Sequence, residues 1–221
     1  MTFESDIRAA ARAADSAVNT AMRKYSEARV TDEPDITGVL VGRLDAALDG
    51  GIGGLEWSST IVRSSSGSAA EEKEIGADLL LHVRLDAHGR SFSKGLLVQA
   101  KRAEIGERLS SKEAVRLHEQ CRRMLNTTAA SFVFVYATNQ MRCGGAASFF
   151  TGPRRDVHGN CPWTSYRFFL EFFRCPIGDP SIHGPLIKDL PVPHILVTPK
   201  HPPEVGGYCQ FRGESNLPLG A

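Results

Sequence analysis

The chain has 221 residues, 42% of them hydrophobic and 23% charged, which is enough to bury one full core and excludes both a disordered segment and a miniature scaffold. No run approaches the roughly 18 to 20 apolar residues of a membrane span, so a membrane partner is not expected. The formal net charge of +1 is unevenly spread: residues 1–60 hold ten acids against six bases, and the remaining 161 residues carry +5. A polyanion would therefore meet the later part of the chain.

The first residues show no basic start with an apolar stretch, and Glu4, Asp6 and Asp15 do not suit a transit peptide, so a cytoplasmic address is expected. Five widely spaced cysteines without a Cys-x-x-Cys pair fit free thiols in a reducing compartment. A looser metal reading takes Cys143, His158, Cys161 and Cys175 as zinc ligands, against the tighter pairs usual in structural zinc sites.

Apolar spacing predicts a helix over residues 2–28 with an alanine-rich seam (Ala11, Ala14, Val18, Met22) suited to close packing on a neighbouring helix, in the same chain or across a dimer. A second helix is expected from Pro34 to about Leu48, ended by Asp49-Gly50-Gly51. Residues 55–63 read as a strand. Asp78 to Asp86 and Lys94 to Lys101 read as a hairpin around Ala87-His88-Gly89-Arg90, with Asp78, Leu80, His82 and Arg84 on one face. A helix over about 111–126 and a doubly covered strand over 130–137 follow. Residues 139–162 read as loop, with a short strand admitted near 146–150. An aromatic helix is expected over 163–174, then a proline-rich region with a strand at 194–198 and a tail from about 200. The order gives an α/β fold with a mixed sheet flanked by helices. Its expected division is an N-terminal helix (1–30), a core (31–140) and a C-terminal extension (141–221) packed on that core.

Folding the hairpin near residues 89 and 90 sets Asp78 opposite Lys101 and Leu80 opposite Gln99, within a residue of register. A carboxylate, an amide and an ammonium then share one sheet face that a helix should cover. Polar groups in such a place need a reason. A plain surface hairpin with a weak cross-strand ion pair is the bland alternative.

At these residues the sequence resembles the PD-(D/E)XK nuclease superfamily, in its Gln-x-Lys variant found in Mrr-like restriction nucleases. The matching residues are Asp78 in Gly76-Ala77-Asp78, the triplet Gln99-Ala100-Lys101, and the upstream acid Glu33 in Glu33-Pro34-Asp35, with Asp35 as its rival. Gln99 stands where many members carry Glu. The resemblance covers about residues 30–140 and implies a restriction-endonuclease-like αβββαβ core. It implies Mg²⁺, with Mn²⁺ able to substitute, held by Asp78, Glu33, Gln99 and the Ala100 carbonyl, and Lys101 acting on the attacking water. The implied activity is endonucleolytic hydrolysis of DNA in a restriction or phage-defence system. A catalytically inactive module that binds nucleic acid or a protein is the alternative that Gln99 keeps open.

The stretch 101–123 holds seven Lys or Arg against four acids. Arg102, Arg116, Gln120 and Arg123 are the expected nucleic-acid contacts, since a few neutralised phosphates suffice for binding. No helix-turn-helix or zinc finger is written here. Sequence choice would fall to loops, a second subunit in a homodimer, or a partner protein.

Overall fold

A computed structural model describes residues 2–62, 75–152 and 155–191. In chain order the elements are α1 (Phe3–Ser26), α2 (Glu33–Leu48), β1 (Leu55–Ile61), β2 (Leu79–Ala87), β3 (Arg90–Arg102), α3 (Ser111–Thr127), β4 (Ser131–Ala137), β5 (Gln140–Gly145), the short α4 (Ser148–Thr151), β6 (Trp163–Thr164) and α5 (Ser165–Arg174). The six strands form one mixed sheet in the order β1-β2-β3-β4-β5-β6, with only β3 and β4 parallel.

Three layers result. Leu79, Leu81, Val83, Leu96, Val98 and Ala100 face α1, α2 and α5, whereas Leu80, Leu97, Val133 and Val135 face α3 and the C-terminal segment through Ile182. β4 is buried along its whole length. The alanine seam of α1 packs within the chain, because Ala10, Ala11, Ala14 and Ala21 are fully buried and α1 lies against both α2 and α5. Small side chains let three helices approach closely, and Phe168, Phe169, Phe172 and Phe173 of α5 supply the bulk.

Three expectations change. The hairpin turns on two residues, His88 (φ 56°) and Gly89 (φ 67°), with Ala87 paired to Arg90, so Leu80 faces Leu97 rather than Gln99. Two left-handed residues in succession close a tighter loop than the expected one. The slip equals two residues on the partner strand, so every side chain keeps its face. Within the stretch expected to be loop, Gln140–Gly145 is a strand and Ser148–Thr151 a helical turn, in place of a strand near 146–150. Gly144 and Gly145 hide that strand from propensity, and Gly144 is needed because a Cβ there would collide with the Asn160 carbonyl. Residues 140–174 thus continue the same sheet and core. The strand expected at 194–198 and the tail lie outside the described residues.

The segment after α5 crosses back over the hairpin. Gly95 and Asp179 exchange backbone hydrogen bonds at 3.1 and 2.7 Å, and Ile182 fills the space left by the missing Gly95 side chain. Beside this crossing Lys94 is 2% exposed, its Nζ donating to the Ile177 carbonyl at 2.5 Å between the rings of Phe92 and Phe172. Burial pushes its pKa down to about 8 from 10.5. Between those two values the unfolded chain binds the extra proton, so stability rises with pH through this window. The buried thiols and Tyr136, whose pKa burial raises, act in the opposite direction over the same range, so the Lys94 contribution is read as a difference: thermal melts from pH 8 to 10.5 are expected to show a less positive slope for Lys94→Met than for the parent chain.

Candidate active site

β3 is longer than its partner. The β2–β3 ladder stops at Leu79↔Val98, while Gln99–Arg102 continue alongside β4 alone. On this overhang the N–H groups of Leu97 and Ala103 point to β4, donating to the Ala130 and Tyr136 carbonyls. Those of Ala100 and Arg102 therefore face the side that β2 has vacated. Each meets a carboxylate: Ala100 N–H donates to Asp78 Oδ2 at 2.7 Å and Arg102 N–H donates to Glu33 Oε2 at 2.9 Å.

Asp78 lies one residue before β2, held by its N–H to the Val98 carbonyl and by its carbonyl to Val62 N–H, both 2.8 Å. Its Oδ2 also accepts from Gln99 Nε2, which donates in turn to the Ala100 carbonyl at 2.9 Å. Gln99 is buried, and its Oε1 has no partner among the described residues. Glu33 is the first residue of α2 because Asp32 takes the N-cap place, which leaves the Glu33 side chain to reach β3. Lys101 Nζ sits 2.9 Å from Glu33 Oε1, with side-chain exposures of 12% and 28%. Of the two rival acids, Glu33 is the one that meets Lys101; Asp35 is exposed.

Two groups escaped the sequence reading. Tyr136 lies beneath the site on the opposite sheet face, its hydroxyl 3.2 Å from Thr37 Oγ1, and burial pushes its pKa up, with the charges of Asp78 and Glu33 adding to the effect. Thr37 stands four residues after Glu33, one helical turn along α2, which is the only signal of it in the sequence. Gly76 adopts φ 78° and presses on α3, where a Cβ would come within 2.5 Å of the Gln120 carbonyl. This contact seats α3 over the start of β2.

Gln120 is buried with its Oε1 unpartnered, as Gln99 is. Arg116 is exposed one helical turn before it. Arg123 donates to Glu119 at 3.1 Å, and Arg102 Nη1 donates to the Thr31 carbonyl at 2.6 Å, so both expected phosphate contacts also serve the fold. Arg142 and Arg155 likewise donate to the Pro162 and Leu109 carbonyls. Arg108 and Lys112 are exposed and form no ion pair among the described residues.

The zinc reading is not supported. Among the described residues no group of three or more His, Cys, Asp or Glu is placed to hold a metal ion. His158 Nε2 is instead 3.0 Å from the Ala103 carbonyl, Cys143 and Cys161 are buried thiols whose pKa burial raises, and Cys175 is exposed. Among the described residues no helix is long and apolar enough to cross a membrane. Neither a scan against protein-family models nor a search of curated proteins finds a match to this chain.

Gly76→Ala tests the seating of α3. Left-handed strain and the clash with the Gln120 backbone together are expected to cost about 2–3 kcal/mol, read by urea denaturation.

Proposed function

We propose that this chain is a Mg²⁺-dependent endonuclease that hydrolyses DNA phosphodiester bonds on a restriction-endonuclease-like core, as the nuclease of a restriction or phage-defence system. The observation that carries the reading is the convergence of Asp78, Gln99, Lys101 and Glu33, which come from three elements, on the overhanging end of β3. A hairpin held only by a cross-strand ion pair has no need of a buried amide with an orphaned oxygen.

The donor set fits a hard divalent cation. Gln99 Nε2 now bridges Asp78 Oδ2 and the Ala100 carbonyl, while Oε1 lacks a partner. A half-turn of the amide exchanges its N and O and turns three oxygens toward one point, with Glu33 as the second carboxylate nearby. One or two carboxylates suffice for Mg²⁺, which keeps water and substrate oxygens as further ligands. A cation bound there would neutralise phosphate charge and lower the pKa of an attacking water. Lys101, held by Glu33, would orient that water and stabilise charge developing on the phosphate. Arg108, just before α3, and Lys112 in its first turn would supply electrostatic attraction for the DNA backbone.

One observation favours a second reading, a module that binds nucleic acid or a protein without cleaving. The Gln99 amide donates to both Asp78 and the Ala100 carbonyl, two of the oxygens a cation would need.

Nicking of supercoiled plasmid with Mg²⁺, Mn²⁺ or EDTA separates the two. Metal-dependent cleavage is expected, reduced by ~100-fold or more in Lys101→Ala; full activity in that variant would overturn the assignment of the site. Metal-independent retention of DNA without nicking would establish the second reading. Asp78→Asn keeps an acceptor for Ala100 N–H yet should abolish divalent-ion uptake in calorimetry. Gln99→Glu adds a carboxylate beside Asp78, so the metal-free protein should melt earlier and bind Mn²⁺ at least ~10-fold more tightly.

A further inference from the structure

The two edges of the sheet are finished differently. β6 has two residues, whereas β1 ends the other side with seven and pairs only with β2 among the described residues. The register fixes which backbone groups of β1 point outward. Asp86 N–H donates to the Gly54 carbonyl and Val62 N–H to the Asp78 carbonyl, so the even-numbered residues are the ones that exchange hydrogen bonds with β2. Trp57, Ser59 and Ile61 therefore turn their N–H and C=O groups to the open side, and those groups have no partner among the described residues. Strand edges are usually blunted by Lys, Pro or a bulge. Trp57-Ser58-Ser59-Thr60-Ile61 has none of these, and Ile61 is 43% exposed.

The surroundings carry one sign of charge. Two adjoining clefts of about 500 and 360 Å³ flank the strand and share Asp49 and Trp57. Their walls contain Asp45, Asp49, Glu56 and Asp86 and no Lys or Arg; Arg84, cross-strand from Glu56, offsets one of these charges. Asp45 is fixed against the strand, its Oδ1 accepting from Trp57 Nε1 at 2.8 Å and Ser59 Oγ at 2.7 Å. Asp45 lies over the odd-numbered face of β1, and Glu56 projects on the other.

We propose that the open edge of β1 docks an extended, Lys/Arg-bearing segment of a partner protein. The segment adds as a seventh strand, pairing its backbone with Trp57, Ser59 and Ile61, while its basic side chains, present on both faces of the strand, reach Asp45 on one side and Glu56 on the other. A second copy of this chain fits less well. Antiparallel self-pairing about Ser58 would set Trp57 against Ser59 of the other copy and bring the two Asp45 carboxylates together over the axis, which like charge opposes. The edge makes no use of Asp78 or Lys101, so it stands or falls independently of the nuclease reading.

The test uses the full chain and a fluorescein-labelled, amide-capped peptide, Lys-Lys-Thr-Val-Arg-Lys-Thr, whose bases fall on both faces of an extended strand, with a counterpart carrying Glu at each basic position. Saturable anisotropy is expected with the basic peptide only. It should weaken by ~5-fold for each of Asp45→Asn and Glu56→Gln, substitutions that keep the hydrogen-bonding shape. Amide exchange at Trp57, Ser59 and Ile61 should slow when the peptide binds. Absence of saturation, or binding unchanged in both charge variants, overturns the proposal. So does a free chain that sediments as a dimer and becomes monomeric in Ser59→Pro, because the edge would then belong to a second copy.

Discussion

The two carboxylates of the candidate site are where they are because a strand runs past its neighbour. β3 must extend to Arg102 to pair with β4, and β2 begins only at Leu79, so the N–H groups of Ala100 and Arg102 lose their ladder partners. Leaving a buried N–H unmet costs about 1–3 kcal/mol. Asp78 and Glu33 remove that cost, each from a different element, and in doing so fasten the entrance of β2 and the first turn of α2 to one point. The same bonds fix Glu33 beside Lys101, its Oε1 meeting Nζ at 2.9 Å while its Oε2 accepts from Arg102 N–H. One carboxylate thus serves the strand ladder and the ion pair together.

That arrangement explains why an amide at position 99 suits a chain that must fold before it meets any ligand. A third carboxylate there would face Asp78 across the overhang with only Lys101 to offset it, and like charges so close push one of the pair toward protonation. Gln99 instead donates to Asp78, which leaves Gln99 Oε1 as the one unpartnered polar atom of this cluster among the described residues. An amide there favours the fold over any affinity a third carboxylate would give for a cation. Tyr136, closed off below with Thr37, limits water on the opposite face of the same strands.

Much of this was legible in the sequence because alternation is robust. Asp78, Gln99 and Lys101 share a face in any register that differs by an even number of residues, and the slip here is two. The place of the turn at Ala87–Arg90 was legible, but its two-residue form was not: His88 in a left-handed conformation is a departure from ordinary preference that a neighbouring Gly89 only hints at. β5 was lost because its two glycines carry no strand signal, although Gly144 is held there by close approach of the Asn160 backbone. The crossing segment at 175–191 has no periodicity, and its place depends on single contacts such as Thr128 to Asp179 and Gly95 to Ile182 that no local pattern encodes.

Charge counting along the chain overstated the cationic face of α3. Of the bases between 101 and 123, Lys101 and Arg102 are tied to Glu33 and Thr31, and Arg122 and Arg123 clasp Glu119, whose pKa falls to about 2 under Arg122 and then Arg123. Arg108, three residues before the helix, and Lys112 in its first turn are exposed and form no ion pair among the described residues, close to the helix end that adjoins Lys101. A helix N-terminus adds its own positive potential in the same place, partly offset by Glu113, which closes a capping box with Ser110. The field that would draw a phosphate is thus concentrated near the overhang of β3. Of the acids in the first sixty residues, Asp45, Asp49 and Glu56 line the clefts along the edge strand β1, whereas Glu33 lies at the overhang itself. Only β2 separates that edge from β3, so the acids along β1 stand one strand away from the cationic helix end, and the pull on a polyanion there would depend strongly on ionic strength.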